Sequence, residues 1–469
     1  MNPSKRGPLT CENTSRGPSE HECLDIAGHL RTSVRPSVPP RGHRRRDEPG
    51  HALCARSRPA DGRQRTLSPA EPSQRCSLNY GLRRGTPPGV TGHIYADSRR
   101  NRGRRRRGLV VPDRTETVWE LEPHTRAKHD LLRRYLGAWF GIMGRSAGRI
   151  VFFDGFAGPG TYTGGEPGSP VIALTTLLDH KNRHDACEYV LIFNEADRAR
   201  YDSLQEVLRP LRARAPKNIS IHESNLQFSA LVDDILGALG ANHLAPTFAF
   251  VDPFGYKDIS MDQLRRFLSF PRCELFIYFD YNSVNRFATG GVVDERFTDL
   301  FGTTRFRSAP PAGDASRKTY LHDLYQDQLK AVCGFEYVQS FEMLTGQNRT
   351  GHYLFFCTRN IKGLKVMKSA MWKVDSTGEY RFADYLAGQA VLFGGDVDTT
   401  DLQNAIFNAF RGTTVTVQQV VDWVVINTPY AEEHVRKQTL KPMQEQGKVA
   451  SPNQRRRGTF PDGTLLAFN

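Results

Sequence analysis

The first quarter of this chain lacks what a folded core needs. Residues 1–112 contain no Phe and no Trp, and their only aromatics are Tyr80 and Tyr95. Acidic groups are scarce there too, 9 against 23 basic ones, and 22 of the basic residues are Arg. The same stretch holds 13 of the 28 prolines. So little apolar surface cannot offset the entropy of ordering the chain, which excludes a buried core and predicts a disordered Arg/Pro-rich tail over 1–112. No Met occurs between Met1 and Met143, so a start near Leu109 or Val111, with an over-extended tail ahead of it, is a further expectation. Beyond residue 112 it is charge excess that is missing: 41 basic groups face 41 acidic ones. The formal net charge of +14 therefore belongs to the tail, and says nothing about what the remainder binds. No run approaches the ~18 apolar residues of a membrane-spanning helix, and no apolar leader precedes a cleavage site. The eight cysteines are scattered, with no CxxC or Cys/His cluster. That spacing argues against a structural metal and fits a reducing cytoplasmic compartment.

What is present, from about Thr115, is the pattern of an α/β domain. Residues His124 to Phe140 place Ala127, Leu131, Leu132, Tyr135, Leu136 and Trp139 at helical spacing. Buried strands are expected at Arg149–Asp154, Glu188–Asn194, Ile219–His222, Thr247–Val251, Leu275–Phe279 and Tyr353–Cys357. Helices are expected at 197–213, 229–239, 318–332 and 365–372, and from Ser169, where Pro170 suits the first helical position. Strands alternating with helices imply a doubly wound, mostly parallel sheet over 113–393. After a break at Gly394 and Gly395, residues 394–469 read as three helices (402–410, 417–426, 431–446) and two short strands (448–451, 464–468). That order of elements is winged-helix-like, with Arg455, Arg456 and Arg457 on the turn between the strands. Such domains serve protein contacts as often as nucleic acid.

The first strand ends in Asp154 and runs into Gly155-Phe-Ala-Gly-Pro-Gly160. In a doubly wound sheet, ligands sit at the carboxyl ends of the strands, and a glycine turn lets backbone approach a nucleotide. An ordinary tight turn uses the same glycines, so the other members of a site must follow in order. Asn194-Glu195 ends the second strand, where an acid can hold ribose hydroxyls or simply favour a helix N-terminus. The third strand runs into Glu223-Ser-Asn225, read either as an edge for an adenine or, more simply, as a polar loop. Asp252-Pro-Phe-Gly255 follows the fourth, where an acid at the mouth of a buried strand needs partners. His124, Lys128 and His129 cluster at the start of the first helix, read either as a surface patch or as a group lying across the site. Arg286, beyond the fifth strand, is a candidate for an anionic substrate or for a pair with Asp280 or Asp294.

This ordered set resembles a class I S-adenosylmethionine-dependent methyltransferase. Several stretches bring the resemblance closer, to the three-Cys-motif partner protein family (TcmP): 119–129, 154–162, Gly168-Ser-Pro170, Asp252-Pro-Phe-Gly255, 351–358 and Met367-Lys-Ser-Ala-Met-Trp372. It covers Thr117 to the C-terminus. The resemblance implies S-adenosylmethionine as cofactor, lined by Asp154, Gly155, Phe156, Gly158 and Gly160, with Glu195 on the ribose and Asn225 beside the adenine. Asp252, Pro253 and Phe254 would face the transferable methyl. It also implies a partner, a three-Cys-motif protein of radical-SAM-like, iron–sulfur type. Either methyl transfer to nucleic acid or to a product of that partner is implied, or a non-catalytic role in assembly with it. Two departures stand out. The fourth motif is not Pro-Pro-aromatic, which argues against a flipped base. Asp154 and Glu195 are also farther apart than the ~20 residues of a compact dinucleotide fingerprint.

Overall fold

The computed structural model describes residues 117–253, 255, 258–291, 294–345, 347–375, 380–383 and 397–468. The tail expected over 1–112, the break at Gly394 and Gly395, and Phe254 lie outside them. All described residues belong to one compact unit.

Helix α1 (Pro123–Ser146) enters on Pro123, whose fixed φ suits a first turn. It buries Leu131, Leu132, Tyr135, Leu136, Trp139 and Phe140 along one stripe, and runs further than the spacing predicted. Five parallel strands follow: β1 (Arg149–Asp154), β2 (Glu188–Asn194), β3 (Ile219–Ser224), β4 (Thr247–Val251) and β5 (Cys273–Phe279). Between them come α2 (Ser169–Leu178), α3 (Arg198–Arg214), α4 (Phe228–Leu239) and α5 (Met261–Leu268). After β5 lie α6 (Tyr281–Phe287), α7 (Asp294–Phe301) and α8 (Ser316–Ala331). Strands β6 (Tyr337–Leu344) and β7 (Thr350–Thr358), helix α9 (Ile361–Val374) and β8 (Arg381–Ala383) complete the sheet.

The strand order is β3-β2-β1-β4-β5-β7-β6-β8, with β7 antiparallel to both neighbours. The expected doubly wound α/β class is thus what the chain adopts: a mostly parallel eight-stranded sheet with helices on both faces. Alternation along each strand divides the apolar residues between two layers. Val151 and Phe153 face a core with α4, α5 and α8. Ile150 and Phe152 face another built on α1, α2 and α9. Sequence runs outward from β1 in both directions, so the order reverses between β1 and β4, the switch point at whose carboxyl ends doubly wound sheets place their ligand crevice.

The C-terminal residues form their own core around Leu402, Ile406, Val420, Val424 and Leu466. Helix α10 (Thr400–Phe410), strand β9 (Thr414–Thr416) and helix α11 (Val417–Asn427) come first. The single helix expected at 431–446 is instead a 3-10 turn (Glu432–His434), a π-turn (Val435–Leu440) and α12 (Lys441–Glu445). Pro442 has no N–H to give the carbonyl of Gln438, which takes the Thr399 hydroxyl at 2.6 Å instead. Strands β10 (Val449–Ala450) and β11 (Leu465–Phe468) pair, and β9, which the sequence did not announce, adds a third strand to β11. No helix among the described residues is long and apolar enough to cross a membrane.

Candidate functional site

The crevice between β1 and β4 gathers most of the sequence-predicted residues. Asp154 closes β1 and is fully buried. Its Oδ1 accepts the Phe156 N–H at 3.2 Å, while Oδ2 is buried with no hydrogen-bond partner among the described residues. Burial is the main reason its carboxyl is pushed up to about 7, with Asp252 and Glu195 adding repulsion against the Ser169 hydroxyl and the Phe156 amide. A buried, unanswered carboxylate oxygen is costly, and a ligand donor is one way to answer it.

The turn after Asp154 is shaped for close approach. Gly158 (φ +63°) and Gly160 (φ +83°) take the left-handed conformation that glycine allows without strain. Phe156 stacks on Phe228 with centroids 5.3 Å apart, and the Gly155 N–H bonds the Phe250 carbonyl at 3.0 Å. From β2, Asn194 donates to the carbonyls of Gly155 (3.2 Å) and Leu226 (3.0 Å). Glu195 accepts the Gly158 N–H at 3.0 Å on one oxygen and the Asp197 N–H at 2.9 Å on the other. Desolvation raises its pKa. A carboxylate offers about four acceptor sites, so two remain open to ligand donors. Asn225 commits its amide nitrogen to the carbonyls of Glu195 (2.7 Å) and Ala196 (3.0 Å), so it braces the β2 loop.

Across the crevice, Asp252 follows β4 and is ion-paired with Lys128 of α1. The Lys128 side chain is only 8% exposed. This overturns the surface-patch reading of the cluster: α1 lies across the mouth and delivers a cation to the fourth-strand acid. The Lys128 ammonium also sits over the Tyr278 ring, 5.6 Å from its centroid. Tyr278 packs against His352 (4.6 Å between centroids), and His352 against His124 (4.8 Å). His124 Nε2 lies 2.9 Å from Glu122. Burial, then the nearby His124 and Lys128 charges, depress His352 well below the usual imidazole range, so it is neutral at pH 7. His129 is depressed likewise, and its ring lies 5.7 Å from that of Tyr162.

A strap closes over the glycine turn. The Trp119 carbonyl accepts the Thr163 N–H at 3.0 Å, and its ring meets Tyr162 edge-on at 6.0 Å. Arg200 stacks over the same indole at 5.2 Å. A side chain at Gly158 would come within 3.9 Å of it.

The other candidates lie elsewhere. Arg286 is exposed on α6, 5.7 Å from the Phe287 ring centroid. It pairs with neither expected acid: Asp280 caps α6 by accepting the Ser283 N–H, and Asp294 pairs with Arg307 at 2.7 Å. Arg455, Arg456 and Arg457 are exposed between β10 and β11, in the C-terminal core's own loop. Pro253 is buried beside Asp252, and Gly255 turns left-handed at φ +90°. No group of three or more potential metal ligands occurs among the described residues.

Sequence reasoning gave no individual site role to Tyr278, His352, Tyr162 or Trp119, although the last three lie in the stretches that carry the resemblance. The antiparallel pairing Phe279↔Tyr353 carries the first two together, bringing the start of β7 to the end of β5. An aromatic or histidine near the end of each of those strands was the available signal.

No family model matches the chain, and no curated protein matches it. Among solved structures, an O-methyltransferase from Bacillus cereus, in complex with SAH, is similar at 9% identity. That match covers 48% of this chain and 80% of the other, with a TM-score of 0.27. A methyltransferase from Geobacter sulfurreducens is similar at 13% identity, over 49% of this chain and 78% of its own, with a TM-score of 0.23. The plantazolicin methyltransferase BpumL, also in complex with SAH, is 9% identical over 50% and 86%, with a TM-score of 0.25. The strand order, not these likenesses, carries the fold.

Proposed function

We propose that this chain is an S-adenosylmethionine-dependent methyltransferase. The observation that carries the reading is the buried Asp154 Oδ2, unpartnered at the switch point of a doubly wound sheet, above a glycine turn. These residues fit the cofactor: an acid awaiting a donor, a backbone a nucleotide can approach, and an acid on the neighbouring strand. When bound, S-adenosylmethionine supplies a methyl group activated by its sulfonium. The chain's own residues do the rest. Asp154 takes a hydrogen bond from the ligand's amino-acid end, and the residual acceptor sites of Glu195 hold ribose hydroxyls. Trp119 and Tyr162 exclude water above the turn. Asp252, Lys128 and Tyr278 form the wall at which a nucleophile is oriented and its proton received, so positioning supplies most of the rate.

The finer reading is a three-Cys-motif partner protein acting in the cytoplasm beside its iron–sulfur-type partner. Its methyl acceptor would be nucleic acid or that partner's product. The motif stretches and the exposed Arg455–Arg457 loop, on a domain of winged-helix order, support it. One observation favours a second reading, assembly without catalysis: Lys128 already neutralises Asp252.

Calorimetric titration of the full chain with S-adenosylhomocysteine tests the central claim. Saturable heat is expected from the wild type and at least about a hundredfold weaker binding from Asp154→Ala, as befits loss of a buried charged hydrogen bond. A wild type that gives no heat sinks the methyltransferase reading. Labelled-methyl transfer to nucleic acid, with and without the three-Cys protein, then separates the catalytic reading from the assembly one.

A further inference from the structure

At the opposite end of the sheet, a cavity of about 390 Å³ opens between the second half of α1, the start of β5 and the start of α9. That volume falls within the range of small-molecule sites. Its walls are apolar, with Trp139, Ile142, Met143 and Val366 among the lining. Its floor is a buried acid. Glu274 accepts the Tyr135 hydroxyl and the Thr358 hydroxyl, each at 2.7 Å, and burial raises its pKa. Both partners are neutral, and Glu274 has no ion pair among the described residues. Two guanidinium groups line the same cavity, and both are engaged elsewhere. Arg359 donates to the carbonyls of Phe270, Cys273 and Cys333, and Arg272 to Ser146 at 2.7 Å. The lining also includes Lys362, which is exposed.

Gly363 shows that room for this acid is built in. A Cβ there would lie 2.5 Å from Glu274 Oε1. Helix α9 thus carries a residue that costs about 1 kcal/mol of helix propensity, and the carboxyl keeps its place.

We propose that this cavity is a second ligand site, separate from the crevice. It takes a compact apolar ring with an amino group at one end and an anionic group at the other. The ammonium pairs with Glu274, which otherwise bears the cost of burial with only neutral donors beside it, the Tyr135 and Thr358 hydroxyls and the Trp139 indole. The ring fills the apolar walls, and the anion meets Lys362 at the opening. This site does not depend on the methyl-transfer reading.

The probe is 4-(aminomethyl)benzoic acid, titrated into the full chain and followed by tryptophan fluorescence, since Trp139 lines the cavity, and by calorimetry. Benzylamine and 4-methylbenzoate, each lacking one pole, are the comparisons. The dipolar probe is expected to bind at least tenfold more tightly than either. Glu274→Gln should erase its advantage over 4-methylbenzoate, and Lys362→Ala its advantage over benzylamine. Val366→Trp, which fills the cavity while leaving the acid in place, should abolish all three and covers the case in which Glu274→Gln fails to fold. No binding of the dipolar probe to the full chain overturns the proposal. So does equal affinity for all three probes, or binding that survives Val366→Trp.

Discussion

The two halves of the crevice solve the problem of buried charge in opposite ways. On the β1–β2 side, Asp154 Oδ2 makes no hydrogen bond among the described residues, with only the nearby Ser169 hydroxyl easing the carboxyl's burial. On the β4–β5 side, Asp252 is neutralised from within, by a lysine that α1 carries across the mouth. An unanswered acid is a standing cost that a ligand removes, whereas a paired acid must be exchanged or shared. The difference teaches that the glycine side is prepared to bind, and that the facing wall is prepared to hold itself together until a second molecule arrives.

Lys128→Met breaks this comparison most forcefully. It strips Asp252 of its cation beside the Tyr278 ring, and is expected to lower unfolding stability by about 1–3 kcal/mol in denaturant melts. Affinity for S-adenosylhomocysteine should stay within about threefold of wild type, because the glycine side is untouched. Asp154→Ala should do the reverse, losing affinity without losing stability. Matching effects from the two variants would erase the distinction.

A pH series sharpens the comparison less violently. In the fold Asp154 titrates at about 7 against an ordinary 3.8, so between those values the folded state holds the extra proton. Stability contributed there falls as pH rises from about 4 to 7, and Asp154→Asn should flatten that fall. Lys368 behaves oppositely. It is buried in α9 with its ammonium on the carbonyls of Val425 and Thr428, and burial brings it down to about 7 from 10.5. The unfolded chain then holds the extra proton, so stability should rise from pH 7 toward 10 and lose that rise in Lys368→Met. Thermal melts across the two windows check both signs.

The smallest effect is expected far from the crevice. Replacing Arg455, Arg456 and Arg457 with Ala should weaken nucleic-acid binding and lower its salt slope by up to about 3. Cofactor affinity should not change. An unchanged slope would point the loop toward protein instead.

Much of this was legible because β1, β2 and β4 are short apolar runs that end in, or run directly into, a polar residue. Asp154, Glu195 and Asp252 therefore mark the carboxyl edge before any coordinates do. Helix α5 could have been read as well, from the capping box that Ser260 and Gln263 form. Strand β6 was hidden because its first four residues are only half-buried and show no alternation. Tyr278 and His352 escaped for a different reason. Their neighbourhood is created by an antiparallel pairing between strands distant in sequence, which no local pattern encodes. Pro442 was in plain view as the first turn of α12, but the 3-10 turn and π-turn ahead of it carry no comparable signal.

Helix α9 sits in the sheet's core and also touches the C-terminal residues, through Tyr430, which packs against both cores. Met367, Ala370 and Met371 pack with the sheet, while the Trp372 indole N–H reaches the Pro429 carbonyl at 2.8 Å and its ring stacks on Tyr430. The C-terminal residues are therefore not a passenger. Heat should melt the sheet and the C-terminal core in a single cooperative step, since neither can release α9 without exposing the other's apolar surface.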